Sequence, residues 1–256
     1  MAQEKGLLID IKRCIGCLGC ETACKQLHGL GTDPEPTLSD TAFTVVEARG
    51  GKFVRKLCMH CEDPACASAC PVEAISKTRL GPVVYNADKC IGCRYCTITC
   101  PYHIPRFQWV GFNPRVTKCE LCKDRLEKGL KPGCTSVCPT GAVIFGPRSV
   151  LLLDAKERIK NNPGRYYQNR IYGESDNGGT QALYLSKVPF EKLGLPELGP
   201  ESVPARTLRW QRRFYQYFAL PALLYAGLVQ VIRKSLKGHE EEAHEREKET
   251  GLRAQL

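Results

Sequence analysis

The chain has 256 residues, 43% hydrophobic and 25% charged, which allows one or two packed domains and excludes a disordered or low-complexity protein. Its 37 lysines and arginines outnumber its 27 acidic residues, a bias that suits anionic lipids, nucleic acid, acidic proteins or anionic cofactors without choosing among them. The 16 cysteines are more informative, because ordinary chains carry far fewer and all of them need a common explanation.

The first predicted element is an apolar strand that leads into a C-I-G-C loop, in the run LLIDIKRCIGC from Leu7 to Cys17. The same order returns in VVYNADKCIGC from Val83 to Cys93. The runs CPVEAISK from Cys70 and CPTGAVIF from Cys138 also echo each other, and each predicts a helix or turn followed by a short strand. This internal repeat predicts two modules of one kind, the second inserted in the first.

The segments between and after these repeats have weaker patterns. Thr41 to Leu57 alternates around Gly50-Gly51 and predicts a hairpin, which we expect to be scaffold. The basic run between Cys122 and Cys134 predicts a short exposed helix and turn, and Leu151 to Asn161 predicts an amphipathic helix. Asn162 to Pro204, rich in Gly, Pro and Tyr, predicts an extended segment that packs on the preceding domain or on other subunits.

A transmembrane helix is predicted at Phe214 to Ile232, which has 19 residues and no charge. At about 1.5 Å per residue it is roughly 28 Å long, close to the thickness of the hydrocarbon layer of a bilayer. Pro221 is expected to kink it. The alternative is a buried or surface amphipathic helix. Basic residues flank both ends, at Arg212-Arg213 and Arg233-Lys234, so the positive-inside rule does not orient the span.

The cysteines fall into four groups of four with none left over. Groups one and three read C-x2-C-x2-C-x3-C, and a proline follows the last cysteine of groups two, three and four, as in the cluster-binding run of bacterial ferredoxins. Group one departs from this pattern with Lys25 in the place of the proline. The four groups are Cys14, Cys17, Cys20, Cys24; Cys58, Cys61, Cys66, Cys70; Cys90, Cys93, Cys96, Cys100; and Cys119, Cys122, Cys134, Cys138.

This spacing predicts which cysteines share a cluster. In the ferredoxin run, three thiolates converge on one cubane while the fourth binds a different cluster, so the groups work in pairs, two with three and one with four. We therefore expect four 4Fe-4S clusters. Their predicted ligands are Cys14, Cys17, Cys20, Cys138 for cluster A; Cys24, Cys119, Cys122, Cys134 for cluster B; Cys58, Cys61, Cys66, Cys100 for cluster C; and Cys70, Cys90, Cys93, Cys96 for cluster D.

Zinc sites and disulfides are the alternatives to iron-sulfur clusters. Zinc sites use isolated C-x2-C pairs, two per ion, and need neither a third cysteine at the next step nor a following proline. A disulfide framework needs an oxidising compartment, and Met1 to Asp10 shows no charged start followed by an apolar run. Iron-sulfur clusters are favoured because one rule accounts for all sixteen positions.

Several charged and titratable residues lie near the cysteines in sequence. Four cations stand beside predicted ligands and would raise cluster potentials unless they are simply solvated. The three histidines near the cysteine groups are expected to be hydrogen-bond donors or packed side chains. No Walker loop, dinucleotide glycine pattern or nucleophile elbow predicts an active site, and no nucleic-acid-binding motif accompanies the basic charge. The cations are Lys12, Lys89, Arg94 and Lys118, and the histidines are His28, His60 and His103.

The predicted fold class is α+β, with two pseudo-symmetric modules like bacterial ferredoxins, one inserted in the other, and a single C-terminal transmembrane helix. Residues 1–50 and 111–160 form the first module, and residues 51–110 form the second. An extended partner-packing segment follows at 161–205 and the anchor at 206–237. The charged tail at 238–256 is expected to be a solvated helix, and its His239 and His244 are assigned no metal.

The cysteine array, the anchor and the run RIYGESDNGGTQALYLSKVPFEKLGLP from Arg170 to Pro196 together carry a family resemblance. Over nearly its whole length the sequence resembles the four-cluster iron-sulfur subunits of membrane-bound respiratory oxidoreductases. The likeness is strongest to the HybA-type subunit of uptake nickel-iron hydrogenase and the beta subunit of membrane formate dehydrogenase. Iron-sulfur subunits of other molybdopterin oxidoreductases, and of polysulfide and menaquinone reductase complexes, share the array, so it indicates electron relay and does not identify the substrate.

The resemblance implies a subunit without its own substrate that relays single electrons in anaerobic respiration. Its partners would be a catalytic subunit, either a nickel-iron hydrogenase or a molybdopterin enzyme such as formate dehydrogenase, and an integral membrane subunit that reacts with quinone. The ligand pairing above agrees with the family scheme. We expect a single-pass protein of the cytoplasmic (inner) membrane, held in the lipid bilayer. No twin-arginine signal is visible, so we expect export with a signal-bearing partner to the periplasmic face; the alternative is the cytoplasmic face.

Overall fold

The structure, a computed structural model, describes residues 3–109 and 115–253. The chain divides into two units, Met1–Pro204 and Ala205–Leu256. The predicted boundary between the inserted module and the return of the first falls within residues 110–114, outside the described ranges. The side chains of His239 and His244 also lie outside the described part of the chain.

The strands are short and most of the helices have only one or two turns. The strands are β1 Lys5–Asp10, β2 Val45–Arg49, β3 Lys52–Lys56, β4 Ile75–Lys77, β5 Val83–Tyr85, β6 Arg106–Phe107, β7 Val116–Thr117, β8 Val143–Pro147 and β9 Ala182–Leu185. The α-helices are α1 Gly19–Leu27, α2 Ala65–Ser68, α3 Tyr95–Thr99, α4 Lys123–Glu127, α5 Gly133–Ser136, α6 Arg148–Lys160, α7 Val203–Phe214 and α8 Leu220–Arg253.

The largest sheet places β1 between β8 and β9, antiparallel to β8 and parallel to β9. Leu7, Leu8 and Ile9 are all at most 1% exposed, although neighbours along a strand point to opposite faces. Both faces are therefore covered. Leu7 and Ile9 belong to the main core, whereas Leu8 packs in a second cluster with Leu151 and Ala155 of α6. Because both faces of β1 are buried, its sequence is a continuous apolar run and does not alternate with polar residues.

The predicted hairpin is confirmed, since β2 pairs antiparallel with β3 and Glu47 lies opposite Val54. Gly50 and Gly51 at its turn have φ values of 56° and 70°, the left-handed conformation that a two-residue turn needs and that glycine adopts without strain. Two further antiparallel pairs, β4 with β5 and β6 with β7, lie between the second cysteine group and the fourth. The amphipathic helix predicted from Leu151 begins earlier, at Arg148 directly after Pro147.

Residues 161–204 pack against the rest of the first unit. Tyr172, Tyr184 and Phe190 are among its largest fully buried side chains, and the rings of Tyr172 and Phe190 lie 5.1 Å apart. The Tyr172 hydroxyl donates to the carbonyl of Pro196 at 2.6 Å. The sequence showed no period in this segment because β9 (Ala182–Leu185) is buried on both faces and so does not alternate.

The second unit is a helix that α7 begins and α8 continues, joined by a π-helical turn at Tyr215–Ala219. Pro221 lies two residues after this turn. Because proline has no N–H and its ring crowds the carbonyl four residues earlier, a π-helical turn is an ordinary way to accommodate it. The helix from Val203 to Gly238 is long and apolar enough to span a bilayer, and none of its most apolar stretch is buried within the protein.

Candidate metal centres

The two C-I-G-C loops have the same backbone conformation. Gly16 and Gly92 have φ values of 71° and 70°, and the residues two positions later, Leu18 and Arg94, have φ values of 60° and 63° and begin a helix. Each loop therefore turns sharply and then presents its next cysteine from the first turn of α1 or α3. The backbone N–H of Gly92 points back to the Cys90 sulfur at 3.4 Å, so the turn supplies both thiols and hydrogen-bond donors.

The four predicted ligands of cluster A line one cavity. The cavity measures about 430 Å³, and apolar side chains and Arg55 complete its wall. Burial opposes ionisation of Cys138, but the N–H of Val143 and the hydroxyl of Thr140 hold the pKa of that thiol below its usual value. The cysteines in the wall are Cys14, Cys17, Cys20 and Cys138.

A second cavity, of about 320 Å³, is lined by the four predicted ligands of cluster D. The backbone N–H of Ala74 donates to the Cys70 sulfur at 3.2 Å. Apolar side chains from β4 and β5 and the loop residue Ile91 surround the sulfurs. The cysteines in this wall are Cys70, Cys90, Cys93 and Cys96. Each cavity thus combines four thiols with backbone donors in an apolar setting, which is what an anionic iron-sulfur cluster requires.

The remaining eight cysteines form two inner groups. Besides burial, the thiols of Cys134, Cys122 and Cys20 raise the pKa of Cys24, and those of Cys58, Cys100 and Cys66 raise the pKa of Cys61. All of these except Cys20, a predicted ligand of cluster A, are the partners that the spacing predicted for clusters B and C. The inner thiols are mostly buried, whereas those of Cys17 and Cys93, in the two outer groups, are exposed.

Burial also controls the protonation of these thiols. It raises the pKa of Cys24 to about 12, that of Cys66 to about 12 and that of Cys96 to about 11, and neighbouring thiols add to the effect. All sixteen cysteines are free thiols. Thiols of this kind stay protonated at neutral pH until iron displaces the proton, so binding of iron and loss of the proton go together.

Among the described side chains, at residues 3–109 and 115–238, no three from His, Cys, Asp or Glu meet as ligands of a single metal ion. The four thiolates of a cubane each bind a different iron atom, so they stand further apart than the ligands of one zinc ion. The sixteen thiols, the two cavities and the backbone donors fit 4Fe-4S clusters.

Of the four cations predicted to influence the clusters, only Lys118 is buried. Its ammonium group donates to the carbonyls of Val83 and Cys119. Lys12 and Lys89 are exposed, and so is Arg94, whose guanidinium lies 4.2 Å from the centre of the Trp109 ring. The charge of Lys12 and Lys89 is therefore largely screened by water, whereas Arg94, although exposed, also lines the cavity of cluster D.

Sequence reasoning missed Arg55, which is 2% exposed and lines the cavity of cluster A. The hairpin that carries it was expected to be scaffold. The sequence did contain an indication that Arg55 lies close to the cysteines, because it follows the core residue Val54 in a strand that leads directly to Cys58.

The histidines are not gathered into a site. His60 is fully buried, and its Nδ1 accepts the backbone N–H of Val83 at 3.0 Å. The ring of His28 lies 5.0 Å from that of Phe43, and His103 is exposed. His60 is therefore a packed side chain, as expected, whereas His28 is exposed.

Comparisons with known proteins agree with this geometry. Two models described as "4Fe-4S dicluster domain" match the chain, at residues 50–148 and 13–74. The chain is 37% identical over 279 residues to the hydrogenase-2 operon protein HybA of Escherichia coli O157:H7, covering 91% of this chain and 85% of that protein. It is 38% identical over 201 residues to the iron-sulfur subunit of nitrate-inducible formate dehydrogenase of Escherichia coli K12, covering 71% of this chain and 68% of that subunit.

The fold and the four cysteine groups define an iron-sulfur protein with ferredoxin-like 4Fe-4S domains and one apolar C-terminal helix. It carries four 4Fe-4S clusters. The chain belongs to the family of HybA and the formate dehydrogenase iron-sulfur subunits. It is an electron-transfer subunit of a respiratory oxidoreductase complex and not the catalytic subunit, which confirms the family, the cofactors and the role expected from the sequence.

Proposed function

We propose that the clusters are held by the four sets of cysteines predicted from the spacing and form a single relay in the order A, B, C, D. The observation that carries this proposal is that thiols of neighbouring sets lie within electrostatic range of one another. Cys20 of set A has Cys134 of set B as a charged neighbour, and Cys119 of set B has Cys58 of set C. Cys66 of set C has Cys96 of set D.

The two ends of this relay would exchange electrons with other subunits. Cys17 in set A and Cys93 in set D are exposed, and apolar side chains surround both. The exposed Ile15 lines the same cavity as Cys17, and the exposed Ile91 lines the same cavity as Cys93. Exposed apolar side chains of this kind favour burial against a partner protein. We assign one end to the catalytic subunit and the other to an integral membrane subunit that reacts with quinone.

The protein's own residues prepare the relay for rapid single-electron steps. Each cluster accepts and returns one electron when bound. Buried apolar side chains such as Leu57 and Met59 exclude water, so little solvent must reorganise when charge moves. The N–H groups of Ala74, Gly92 and Leu121 point at ligand sulfurs and stabilise their negative charge.

Two pseudo-symmetric modules would explain the arrangement of the pairs. The strand before group one pairs with the strand after group four, β1 with β8, and the strand before group three pairs with the strand after group two, β5 with β4. The helices pair in the same way: α1 of group one contacts α5 of group four, and α2 of group two contacts α3 of group three. These relations support a second module at 51–110 inserted in a first module at 1–50 and 111–160. The extended segment at 161–205 would then follow the modules, before an anchor at 206–237 and a tail at 238–256.

The catalytic partner is proposed to be a nickel-iron hydrogenase, because the match to HybA extends over 91% of this chain. Formate dehydrogenase is the second candidate, supported by a match of 37% identity to the formate dehydrogenase-O iron-sulfur subunit of Escherichia coli K12 over 76% of this chain. Either complex would sit at the cytoplasmic membrane. We place this subunit on the periplasmic face as a single-pass protein, exported with a signal-bearing partner.

The partner is tested by purifying the complex anaerobically from native membranes with this subunit tagged. Mass spectrometry that finds a nickel-iron large subunit supports the hydrogenase assignment, and a molybdopterin subunit moves it to the formate dehydrogenase type. Isolation of the subunit without any partner from intact membranes would contradict the relay role.

The ligand sets are tested with two cysteines of the same group that are assigned to different clusters. Each of the variants Cys20→Ser and Cys24→Ser is compared with a variant from the fourth group. If the sets are right, Cys20→Ser alters the same electron paramagnetic resonance (EPR) signal as Cys138→Ser, and Cys24→Ser alters the same signal as Cys134→Ser. A common signal for Cys20→Ser and Cys24→Ser would contradict the assignment.

A further inference from the structure

Arg55 is a buried cation that forms no ion pair with a carboxylate among the described residues. It is 2% exposed, its Nε donates to the hydroxyl of Thr44 at 2.9 Å, and its Nη1 is buried without a hydrogen-bond partner. None of the ion pairs among the described residues involves Arg55. A buried guanidinium that lacks a counter-charge is strongly unfavourable, so the fold is expected to supply an anion beside it.

The groups around Arg55 indicate what that anion is. The thiols within electrostatic range of its guanidinium are those of Cys134, Cys20 and Cys119. Arg55 also lines the cavity formed by the ligands of cluster A. Cys20 belongs to set A, whereas Cys134 and Cys119 belong to set B. The guanidinium therefore faces ligands of both sets, and these ligands become anionic when iron binds.

The surrounding chain keeps the guanidinium in this position. Thr44, which accepts from Nε, donates its own hydroxyl to the carbonyl of Lys56 at 3.2 Å. The hydroxyl of the buried Tyr184 donates to the carbonyl of Arg55 at 2.9 Å. Neutral groups thus hold the backbone carbonyl and the Nε of Arg55. The two Nη groups of the planar guanidinium remain available to donate to the ligand sulfurs.

We propose that Arg55 is a positioning residue whose guanidinium bridges clusters A and B, donates hydrogen bonds to their thiolate sulfurs and raises the reduction potentials of both. This inference rests on the proposed ligand sets. Reduction adds one electron, and therefore one negative charge, beside the guanidinium, so the cation stabilises the reduced state more than the oxidised state. Arginine keeps its proton throughout, and no proton transfer accompanies the step.

The test measures the potential of each cluster in the complete complex by redox titration followed by EPR spectroscopy. Arg55→Gln removes the charge, and we expect the reduction equilibrium constants of clusters A and B to fall about tenfold, about 59 mV for one electron. Clusters C and D should keep their potentials. Arg55→Lys keeps a charge but loses the planar fork, and should lower the potentials of A and B by a smaller amount.

Lys56→Gln is the matched control, because Lys56 lies next to Arg55 in the same strand but its ammonium group is partly exposed and faces Glu47 at 3.9 Å. We expect it to leave all four potentials unchanged. If Arg55→Gln does not assemble its clusters, the test rests on Arg55→Lys. Lower potentials of clusters A and B alone in that variant support the proposed role of Arg55. Unchanged potentials of A and B, or an equal shift of all four clusters, would overturn it.

A failure of the ligand sets would look different. It would appear in the unsubstituted complex, as iron for fewer than four clusters, or in cysteine variants that alter the wrong signals. With four clusters and correct ligand sets established, unchanged potentials in the Arg55 variants would count against Arg55 alone.

Discussion

Asn177 donates its Nδ2–H to the sulfur of Cys61 across 3.8 Å, while its Oδ1 accepts the backbone N–H of Val203 at 3.1 Å. Asn177 is buried and has a φ of 54°. Its segment, far along the chain from the second cysteine group, thus supplies a hydrogen-bond donor to a proposed ligand of cluster C. Donors to a ligand sulfur stabilise the reduced cluster and raise its potential.

Asn177→Gly is therefore expected to lower the potential of cluster C. Glycine accepts the positive φ, so the substitution removes the donor without adding backbone strain. A hydrogen bond of this kind contributes about 1 kcal/mol to the stability of the state in which it forms. Redox titration of the complete complex measures the change. Asn169→Gly, at an exposed position with a φ of 51°, is the control and should change no potential. Equal effects of the two substitutions would refute the role of the donor.

Gly6 and Gly146 lie opposite each other on β1 and β8 but differ in the space beside them. A Cβ atom at Gly6 would lie 2.3 Å from the carbonyl oxygen of Gln181, whereas one at Gly146 would meet only Leu151 side-chain atoms, at 3.6 Å or more. We expect Gly6→Ala to lower the free energy of unfolding by about 1–3 kcal/mol, because backbone on both sides must shift. Anaerobic urea denaturation measures this loss. Gly146→Ala should cost less than half as much, and similar losses would contradict the predicted clash.

Asp10 is fully buried and accepts hydrogen bonds from the hydroxyl of Tyr166 at 3.0 Å and from Arg158 at 3.3 Å. Asp10→Ala leaves both donors without this acceptor, and we expect a loss of about 3 kcal/mol in the free energy of unfolding. The control is Asp154→Ala, because Asp154 also pairs with Arg158 but is more exposed to solvent. That change should cost about 1 kcal/mol or less. A smaller loss for Asp10→Ala than for Asp154→Ala in urea denaturation would argue against a structural role for the buried pair.

The membrane anchor is tested by placing charge at the middle of the proposed span. Leu223 and Leu224 are exposed on the helix, and replacing both with arginine should oppose insertion by about 5–7 kcal/mol. We expect the subunit, expressed without its partners, to be released from membranes by an alkaline carbonate wash. Leu208→Arg, at an exposed position before the span, should leave it in the membrane fraction. Retention of the double variant would show that the helix is not the anchor.

Local spacing was sufficient to predict the cofactors of this protein. Cysteines two residues apart on a tight loop must present their sulfurs together, whatever the rest of the chain does, and the glycines at positions 16 and 92 have the positive φ that such loops need. The hairpin around Gly50-Gly51 and the apolar helix after Phe214 were predictable for the same reason, because turn residues and hydrophobic length act within a short segment.

Tertiary structure alone decided which distant residues serve the cysteine groups. Arg55 and Asn177 reach their thiols through packing between segments far apart in sequence, and the burial of β9 depends on the strand beside it. Charge next to a cysteine in sequence was an uneven guide, since Lys118 is buried whereas Lys12, Lys89 and Arg94 are exposed to solvent. The sequence determined the cofactors because the spacing within each cysteine group is local. The burial that gives a charge or a donor its strength is created only when distant segments pack together.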